Sequence, residues 1–249
     1  MTETSHTVSI MNLDFMNVTQ QEFIERHLVP KLRHGYTGFV VTANPEIAMR
    51  AREDQAYQDV LAKADYIVPD GIGIIKASEW MGSPLKERVT GFDLMKSLLK
   101  LAQENGYSCY FLGASEKSNE SAVEKVKEQY PGIRIAGRHH GFFGGNDKSV
   151  PNAVRAADAD LVFVALGMPR QEMWISEHIQ HFNKGIFMGV GGSFDVLAGE
   201  VKRAPDVWIK FNMEWAYRLM KQPFRWKRIL KVFQFMFLIL LGKGKEKTR

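Results

Sequence analysis

The 249-residue sequence is poor in cysteine and in long apolar runs, and both shortages restrict what the protein can be. Cys109 stands alone, which excludes an internal disulfide and a zinc site held by several cysteines and fits a reducing compartment. The apolar run near the C-terminus covers 13 residues even when Lys231 and Gln234 are counted, against the roughly 20 that span a bilayer. The first 13 residues lack a basic segment followed by an apolar one, so no secretory signal is expected.

Two common nucleotide-binding loops are also missing. Gly71-x-Gly73 is followed by Lys76 where the dinucleotide fingerprint needs a third glycine, and no acid follows at the distance of the ribose ligand. Gly242-Lys243 lacks the upstream glycine and the following Ser or Thr of a P-loop. A Rossmann-type oxidoreductase is therefore disfavoured, and nicotinamide binding would revive it.

Positive charge is concentrated at the C-terminus. Residues 218–249 hold ten Lys and Arg against one Asp or Glu, a net charge of +9, whereas residues 1–217 hold 23 against 27, a net charge of −4. A nucleic-acid footprint usually lies across a folded face, so this asymmetry indicates an interaction tail instead. An anionic membrane surface is the expected partner, and no nucleic acid is expected.

Apolar segments alternate with helical patterns at intervals of about 25 to 35 residues along most of the chain. Strands are predicted near residues 8–13, 38–43, 66–68, 108–112, 133–136, 160–166 and 185–190. A helix is predicted over 19–34, with Thr19 as its cap and Gly35 as its stop, and Pro30 should kink or shorten it. Another is predicted after Asn44, with Asn44 as its cap and Pro45 in its first turn. Because most of these strands are apolar along their length, the pattern predicts an α/β fold with a largely parallel sheet and helices on both faces.

Polar residues and glycines follow several of these strands, where helices begin. Thr42 and Asn44 follow one strand, Asp70 and Gly71 another, and the segments 167–172 and 191–195 two more. The carboxyl ends of parallel strands meet at one edge of a sheet, and helix N-termini favour an anionic phosphate there. A phosphorylated small molecule is therefore the expected ligand, although each segment taken alone is also an ordinary turn or helix cap.

The segment 68–94 is the richest in candidate chemistry. Asp70 closes an apolar strand on a glycine turn, Arg88 follows, and Thr90 with Asp93 has the spacing of a helix cap. One carboxylate, one guanidinium and two helix N-termini therefore lie within 27 residues. A strand, a turn and a capped helix with no chemistry would have the same sequence features.

Metal ligands are weakly indicated. Asp158-Ala-Asp160 precedes a strand instead of following one, which favours a structural role. His178 and His181 lie one helical turn apart without a nearby third ligand, and His139-His140 are adjacent in a loop. We therefore expect no metal site and no cofactor, and a diphosphate leaving group would need cationic side chains.

The last 45 residues are rich in aromatic and basic side chains. One aromatic-rich helix is predicted over 205–221, Pro223 ends it, and a second helix is predicted over 224–241. In the second helix Lys227, Arg228, Lys231 and Gln234 form a polar stripe, and apolar residues cover the rest. Such a helix is expected to lie in a membrane interface, while packing on the core or on another subunit is the alternative.

Ordered motifs over residues 8–228 resemble a known family, the bacterial WecG/TagA/CpsF glycosyltransferases, which transfer N-acetylmannosamine-type sugars in teichoic acid and surface polysaccharide synthesis. The blocks are Thr42-Ala-Asn44-Pro45-Glu46, Pro69-Asp70-Gly71-x-Gly73, Glu87-Arg88-Val-Thr90-Gly91-x-Asp93, Phe111-Leu-Gly113, Ala165-Leu-Gly167-x-Pro169-x-Gln171-Glu172, Gly189-Val-Gly191-Gly192-x-Phe-Asp195-x-x-Ala-Gly199, Arg203-Ala-Pro205, Glu214-Trp215-x-x-Arg218 and Pro223-x-Arg225. The apolar tail after Arg228 is longer than is usual in the family.

The resemblance implies a role for each motif residue. Asp70 would be the general base, Thr42 and Gln171 would line the sugar-nucleotide pocket, and tail arginines would close over the site. The tail arginines are Arg218, Arg225 and Arg228. The remaining expected substrate-binding residues are Asn44, Gly71, Arg88, Thr90, Asp93, Gly113, Gly167, Pro169, Glu172, Gly191, Gly192, Asp195 and Arg203.

The resemblance and the residue patterns agree on one hypothesis of fold and function. The expected enzyme has a Rossmann-like α/β catalytic domain over residues 1–200 and a helical membrane-associating appendage over 201–249. It would be an inverting, metal-independent glycosyltransferase that moves N-acetylmannosamine from a UDP-sugar to a polyprenyl-diphosphate-linked GlcNAc. The expected location is the cytoplasmic face of the plasma membrane.

Two other functions and the oligomeric state stay open at this point. The donor could be the uronic acid form of the sugar, because no side chain is identified that meets its C6 substituent. The protein could also be a membrane-surface nucleotide-binding protein without catalysis. A homo-oligomer is possible as well, since a tail that closes a site can come from its own chain or from a neighbouring copy.

Overall fold

The computed structural model describes residues 7–145, 147–211, 213–221 and 226–244. Within this part of the chain, eight strands form one sheet in the order β1-β2-β4-β3-β8-β7-β5-β6. The strands are β1 Thr7–Ile10, β2 Leu13–Met16, β3 Thr37–Ala43, β4 Tyr66–Pro69, β5 Ser108–Gly113, β6 Arg134–His139, β7 Leu161–Ala165 and β8 Gly185–Gly189. Only β1 and β2 pair antiparallel, so the predicted α/β fold with a mostly parallel sheet is confirmed.

Helices connect the strands and cover both faces of the sheet. They are α1 Gln20–Phe23, α2 Val29–His34, α3 Pro45–Glu53, α4 Gln55–Leu61, α5 Ile72–Trp80, α6 Gly91–Asn105, α7 Glu116–Gln129, α8 Ser149–Ala157, α9 Arg170–His178, α10 Ser193–Leu197, α11 Asp206–Lys210, α12 Glu214–Lys221 and α13 Trp226–Leu240. Helices α3, α5, α9 and α13 pack on one face, and α6, α7 and α10 on the other. Two apolar layers therefore enclose the sheet.

The central strands are buried along their whole length, which explains their apolar sequences. Every residue of β5, β7 and β8 is buried. A strand covered by helices on both faces has no solvent side, so it carries no alternation of polar and apolar residues. The continuous runs in the sequence therefore mark the middle of the sheet.

The first predicted strand is wrong in one respect. Residues 8–13 do not form one strand, because the chain turns back at Met11 and Asn12 and pairs Ile10 with Leu13. Both turn residues have positive φ, at 50° and 61°, the backbone of a tight two-residue hairpin turn. Glycine usually occupies such a turn, so the methionine at position 11 did not indicate a turn in the sequence.

The helix predicted after Thr19 forms with its expected ends. Thr19 and Glu22 make a reciprocal capping box, and Gly35 ends the helix at φ 65°. Between α1 and α2 the residues Ile24–Leu28 adopt a π-helix. This wider turn directly precedes Pro30, whose missing N–H cannot continue a regular α-helical ladder.

The C-terminal helices differ from prediction at one point. The single helix predicted over 205–221 is two helices, α11 and α12, with a turn at Phe211 where the Met213 N–H donates to the Trp208 carbonyl at 2.7 Å. Pro223 and Arg225 lie outside the described residues. No described helix combines the length and the hydropathy that crossing a membrane requires.

Helix α13 is packed against the core on one side. Phe235 and Ile239 are buried in the same apolar layer as α3 and α5. Lys231 Nζ lies 2.5 Å from Glu53 Oε1, and the Met11 N–H donates to the Gly244 carbonyl at 3.0 Å. The C-terminal helix is therefore joined to α3 and to the β1–β2 turn.

Candidate active site

The connections after β3 and β8 leave the sheet toward opposite faces. Helix α3, after β3, packs in one apolar layer, and α10, after β8, packs in the other. Since β3 and β8 are neighbours, the carboxyl ends of these two strands are where a fold of this kind has its ligand-binding crevice, and we call this place the crevice. The predicted strand-end residues gather around this crevice.

The end of β3 places Thr42 and Asn44 at the crevice. The Asn44 side chain accepts the Ile47 N–H at 3.0 Å and caps α3, with Pro45 in the first helical position as the sequence predicted. Thr42 is half-buried, and its hydroxyl faces Gly91. One polar side chain is used by the helix, and the other remains at the crevice wall.

Asp70 directly follows β4. Its N–H donates to the Ala43 carbonyl at 2.9 Å, which ties the ends of β3 and β4 together. Its Oδ2 accepts the Gly91 N–H at 3.3 Å, so the start of α6 helps to orient the carboxylate. Gly71 follows with φ 93°, a backbone that a side chain would strain, and α5 begins there. Asp70 is half-buried at the crevice.

Gly91 is a site residue that sequence reasoning did not assign. A Cβ atom there would lie 2.9 Å from Thr42 Oγ1 and 3.7 Å from Asp70 Oδ2. The glycine therefore lets α6 begin directly against both predicted site residues. Its position in the Thr90-Gly91-x-Asp93 block was the sequence feature that could have identified Gly91 as a site residue.

Asp93 and Arg203 meet beside the start of α6. The Thr90 hydroxyl donates to Asp93 Oδ2 at 2.6 Å, and Arg203 Nη2 lies 2.7 Å from the same oxygen. The Arg203 guanidinium also lies 4.8 Å from the Phe92 ring centroid. Arg203, far along the chain, therefore holds the first turn of α6, whose Gly91 N–H contacts Asp70.

Arg88 lies in the segment that runs beside the end of β4. The next N–H, that of Val89, donates to the Pro69 carbonyl at 2.8 Å. Arg88 is half-buried and makes no hydrogen bond or ion pair with another described residue. A guanidinium in that position can bind an anion without breaking an existing contact.

The end of β7 is built differently. Gln171 and Glu172, in the first turn of α9, are buried at 6% and 1% exposure. Gln171 Oε1 accepts the Gly191 N–H at 3.0 Å, and Gln171 Nε2 donates to Glu172 Oε1 at 2.7 Å. The two side chains therefore join the loops that follow β7 and β8.

Glycines at three strand ends have backbone roles. Gly113 has φ 121°, and a Cβ there would lie 2.4 Å from the Ala165 carbonyl oxygen. Gly167 and Gly191 also have positive φ, at 75° and 52°, and Pro169 follows Gly167 just before α9. At Gly113 a side chain would clash with the end of β7, whereas at Gly167 and Gly191 the space is open and the left-handed backbone itself favours glycine.

Asp195 points toward α7. Its Oδ1 lies 2.8 Å from the Ser118 hydroxyl, and Glu200 Oε2 lies 2.5 Å from the same hydroxyl. Gly192 lies beside it, with Asp195 Oδ2 3.7 Å from the position of a Cβ. Sequence reasoning missed Ser118 and Glu200. Ser118 is 77 positions from Asp195 and 82 positions from Glu200 in the sequence, and no local pattern connects residues so far apart.

Asn119 is another residue that sequence reasoning missed. Its Nδ2 lies 2.9 to 3.1 Å from the carbonyl oxygens of Phe111, Gly113 and His139, so it joins the ends of β5 and β6. Asn119 occupies the buried stripe of α7 together with Ala122, Val123 and Val126. A polar residue on an apolar helical stripe was the signal that could have identified it.

The tail arginines are placed in part. Arg228 Nε lies 3.8 Å from Glu46 Oε2, in the first turn of α3 next to Asn44. Arg218 belongs to α12, but its side chain and all of Arg225 lie outside the described residues. One of the three predicted arginines is therefore observed near the crevice.

The Asp158-Ala-Asp160 pair has structural contacts. Asp160 accepts hydrogen bonds from the Ser108 N–H and hydroxyl at 2.8 and 2.9 Å, and from Lys184 Nζ at 2.8 Å. These contacts join the starts of β5, β7 and β8, at the opposite edge of the sheet from the crevice. In the described ranges no three His, Cys, Asp or Glu side chains cluster as metal ligands would.

Comparisons with known proteins agree over almost the whole chain. Residues 8–249 match the model of the glycosyl transferase WecG/TagA/CpsF family. A Bacillus spizizenii protein named N-acetylglucosaminyldiphosphoundecaprenol N-acetyl-beta-D-mannosaminyltransferase is 39% identical over 94% of this chain and 91% of its own length. Proteins of the same name from Bacillus subtilis (37%; 99% and 94% coverage) and Staphylococcus aureus strain MW2 (38%; 97% and 94%) are similar.

Proposed function

The chain belongs to the WecG/TagA/CpsF family of glycosyltransferases, and from this we propose that it transfers N-acetylmannosamine from a UDP-sugar to a polyprenyl-diphosphate-linked GlcNAc. The observation that carries the proposal is the pairing of a half-buried Asp70 at the crevice with near full-length similarity to relatives named for this transfer. The product would enter teichoic acid or another surface polysaccharide.

Asp70 acts as the general base in the proposed mechanism. Its carboxylate takes the proton from an acceptor hydroxyl, whose oxygen attacks the anomeric carbon of the donor sugar. The bond from that carbon to the UDP oxygen breaks as the new glycosidic bond forms. Attack from the face opposite UDP inverts the configuration, so no covalent enzyme intermediate is required. The Gly91 N–H supports the proposal because it orients the carboxylate.

Cationic side chains and helix N-termini stabilise the departing diphosphate in this mechanism. Arg88 supports this role because it makes no ion pair with another described residue. Arg228 lies at the first turn of α3, and α3 and α5 both begin at the crevice. A guanidinium group can donate two parallel hydrogen bonds to the oxygens of one phosphate. Its positive charge can therefore replace a divalent cation in stabilising the leaving diphosphate.

UDP release tests the proposed function directly. UDP-N-acetylmannosamine is supplied in EDTA, with and without a polyprenyl-diphosphate-GlcNAc analogue, in the presence of detergent or lipid. Release that depends on the acceptor is expected. Release that requires added Mg²⁺ would contradict the metal-free mechanism alone, and no release with this donor or with its uronic acid form would contradict the transferase function.

An anionic membrane surface is the proposed partner of the C-terminal helices. Trp226, Leu230, Phe233, Phe237 and Leu240 recur on one side of α13, and each is more than half exposed. These apolar side chains lie in the segment that carries a net charge of +9. An apolar stripe among basic residues suits the interface of a membrane with anionic lipids, here the cytoplasmic face of the plasma membrane.

Replacing Phe233 and Phe237 with Ser tests the membrane surface. Partition onto vesicles with anionic lipids should fall about tenfold or more, because two large apolar side chains no longer enter the interface. UDP affinity in solution should be unchanged. Tyr36→Ser, at a 61% exposed aromatic residue far from α13 in sequence, is the matched control. Equal partition of the double variant and the wild type would exclude this stripe as the membrane contact.

A further inference from the structure

Glu172 is a buried carboxyl group that the proposed mechanism does not use. We propose that Glu172 is a positioning residue, which holds the Gln171 amide in the orientation that fixes the Gly191 backbone at the crevice. The geometric part of this inference stands on the contacts alone. Its consequence for substrate binding rests on the proposed function, in which the loop after β8 contacts the UDP-sugar.

The hydrogen bonds give the Gln171 amide one orientation. Its Oε1 accepts the Gly191 N–H at 3.0 Å, and its Nε2 donates to Glu172 Oε1 at 2.7 Å. A rotation by 180° would place the amide nitrogen against the Gly191 N–H and the amide oxygen against the carboxyl oxygen. The contact with the Gly191 N–H would be lost, because an amide nitrogen cannot accept a hydrogen bond. Glu172 therefore selects the orientation that Gly191 requires.

The amide also fits closely against the end of β8. A Cβ on Gly189 would lie 2.6 Å from Gln171 Nε2 and 2.9 Å from Gln171 Cδ. The side chain therefore lies directly on the last residue of the strand, which leaves no space for a side chain at position 189. Gly191, two residues later, takes a φ of 52°. The shape of this loop depends on where the amide is held.

The surroundings of Glu172 favour a neutral acceptor. Glu172 Oε2 and the facing Tyr57 hydroxyl are buried, and neither atom has a hydrogen-bond partner in the described part of the chain. Burial raises the pKa of the Glu172 carboxyl. A neutral carboxyl group presents a carbonyl acceptor like that of a glutamine amide. Glu172→Gln should therefore keep the contact with Gln171, and an apolar replacement should lose it.

Space filling does not explain a carboxyl group at this position. Burying one without full hydrogen bonding costs free energy, whereas an apolar side chain of similar size would pack at this place in α9 without that cost. What the carboxyl group supplies is an acceptor for Gln171 Nε2. Without it, the buried amide would have an unsatisfied donor and could rotate.

Three variants separate positioning from general stability. Glu172→Met removes the acceptor, Glu172→Gln keeps one, and Glu177→Met makes the same change at an exposed position of the same helix. Hydrogen exchange of the Gly191 N–H, measured by NMR, is the first readout and needs no substrate. The affinity for UDP, measured by calorimetry, is the second.

We expect Glu172→Met to speed exchange of the Gly191 N–H about tenfold or more and to weaken UDP binding by a similar factor. Glu172→Gln and Glu177→Met should stay close to the wild type in both readouts. If Glu172→Met does not fold, Gln171→Leu removes the same link and should show the same faster exchange.

Unchanged exchange in a folded Glu172→Met or Gln171→Leu protein would overturn the proposal. Equal losses in Glu172→Gln and Glu172→Met would also overturn it, because they would mean that the acceptor is not what matters. A wild-type protein that binds no UDP would refute the proposed function, while the exchange readout would still decide the role of Glu172.

Discussion

The two halves of the crevice use their polar side chains in different ways. Around β3 and β4, Thr42, Asp70 and Arg88 are half-buried beside the carboxyl ends of the two strands. Around β7 and β8, Gln171 and Glu172 are buried and bonded to each other and to the backbone. The first half can offer side chains to a substrate, whereas the second offers a backbone loop held in shape from behind. Similar strand-to-helix turns therefore present polar side chains in the first half of the crevice and hold the backbone in place in the second.

Among the substitutions that test this difference between the two halves, Asp70→Asn should have the largest effect on activity. Transfer should fall by about two to four powers of ten, because an amide cannot take the proton of the acceptor hydroxyl. UDP binding and the thermal midpoint should change little, since the amide keeps the size of the side chain and an oxygen that can accept the Gly91 N–H. Acceptor-dependent UDP release is the measurement. Near-normal turnover would remove Asp70 from the role of base.

Gly91→Ala should have the next largest effect. The new Cβ would lie 2.9 Å from Thr42 Oγ1, so Thr42 or the start of α6 must move and disturb the setting of Asp70. Transfer should fall about 10- to 100-fold, because small displacements of a reacting group are costly. Gly144→Ala, at a glycine with open space around it, is the control. Activity equal to that control would show that the fit around Gly91 is not important.

Arg88→Gln should weaken UDP binding about tenfold, the loss expected for one charge-assisted contact to a phosphate. The variant should also bind UDP with a smaller dependence on salt concentration. Titration calorimetry at two ionic strengths measures both effects. Lys100→Gln removes an exposed charge from α6 and serves as the control. Identical affinities for the two variants would mean that Arg88 does not contact the diphosphate.

The last prediction concerns the supporting half of the crevice and its effect on the stability of the fold. Burial raises the pKa of the Glu172 carboxyl above its ordinary value of 4.5. Above that value and up to the folded-state pKa, the folded protein binds more protons than the unfolded one, so the free energy of unfolding falls as the pH rises. The facing Tyr57 of α4 does not titrate there, because burial and then the Glu172 carboxylate raise its pKa.

Glu172→Gln removes this titration and is therefore the comparison protein. As the pH rises above 4.5, the wild type should lose stability relative to the variant, as measured by denaturant midpoints at a series of pH values. Arg50 of α3 also acts on Tyr57 and is the same in both proteins. Parallel pH profiles would show that the Glu172 carboxyl is ionised in the folded protein throughout this range.

The sequence predicted the elements that local patterns determine. Apolar runs identified the buried strands, and Thr19, Asn44 and Thr90 identified helix starts that the structure confirms. These features depend on residues within one or two turns of each other. The convergence of strand ends followed from the order of strands and helices and needed no long-range information.

Features that depend on distant contacts were not predictable. The burial of Glu172 is decided by α4 packing against α9, and the direction of Asp195 by Ser118 on α7. The hairpin at Met11 uses a backbone that its side chain does not favour. The helix expected over 205–221 has a continuous aromatic pattern, but a hydrogen bond from Met213 to Trp208 divides it. Hydrophobic periodicity reports on residues that are close in sequence, so it cannot predict contacts between distant residues.

The contact between the two ends of the chain has a consequence for biosynthesis. The apolar layer that holds Val8 and Ile10 also holds Phe235 and Ile239, and Met11 donates to the Gly244 carbonyl. A ribosome delivers the β1–β2 hairpin before α13, and more than 200 residues are synthesised between these two packing partners. A chain that stops before α13 would leave this layer open to solvent. The order of translation therefore sets when this face of the protein can close.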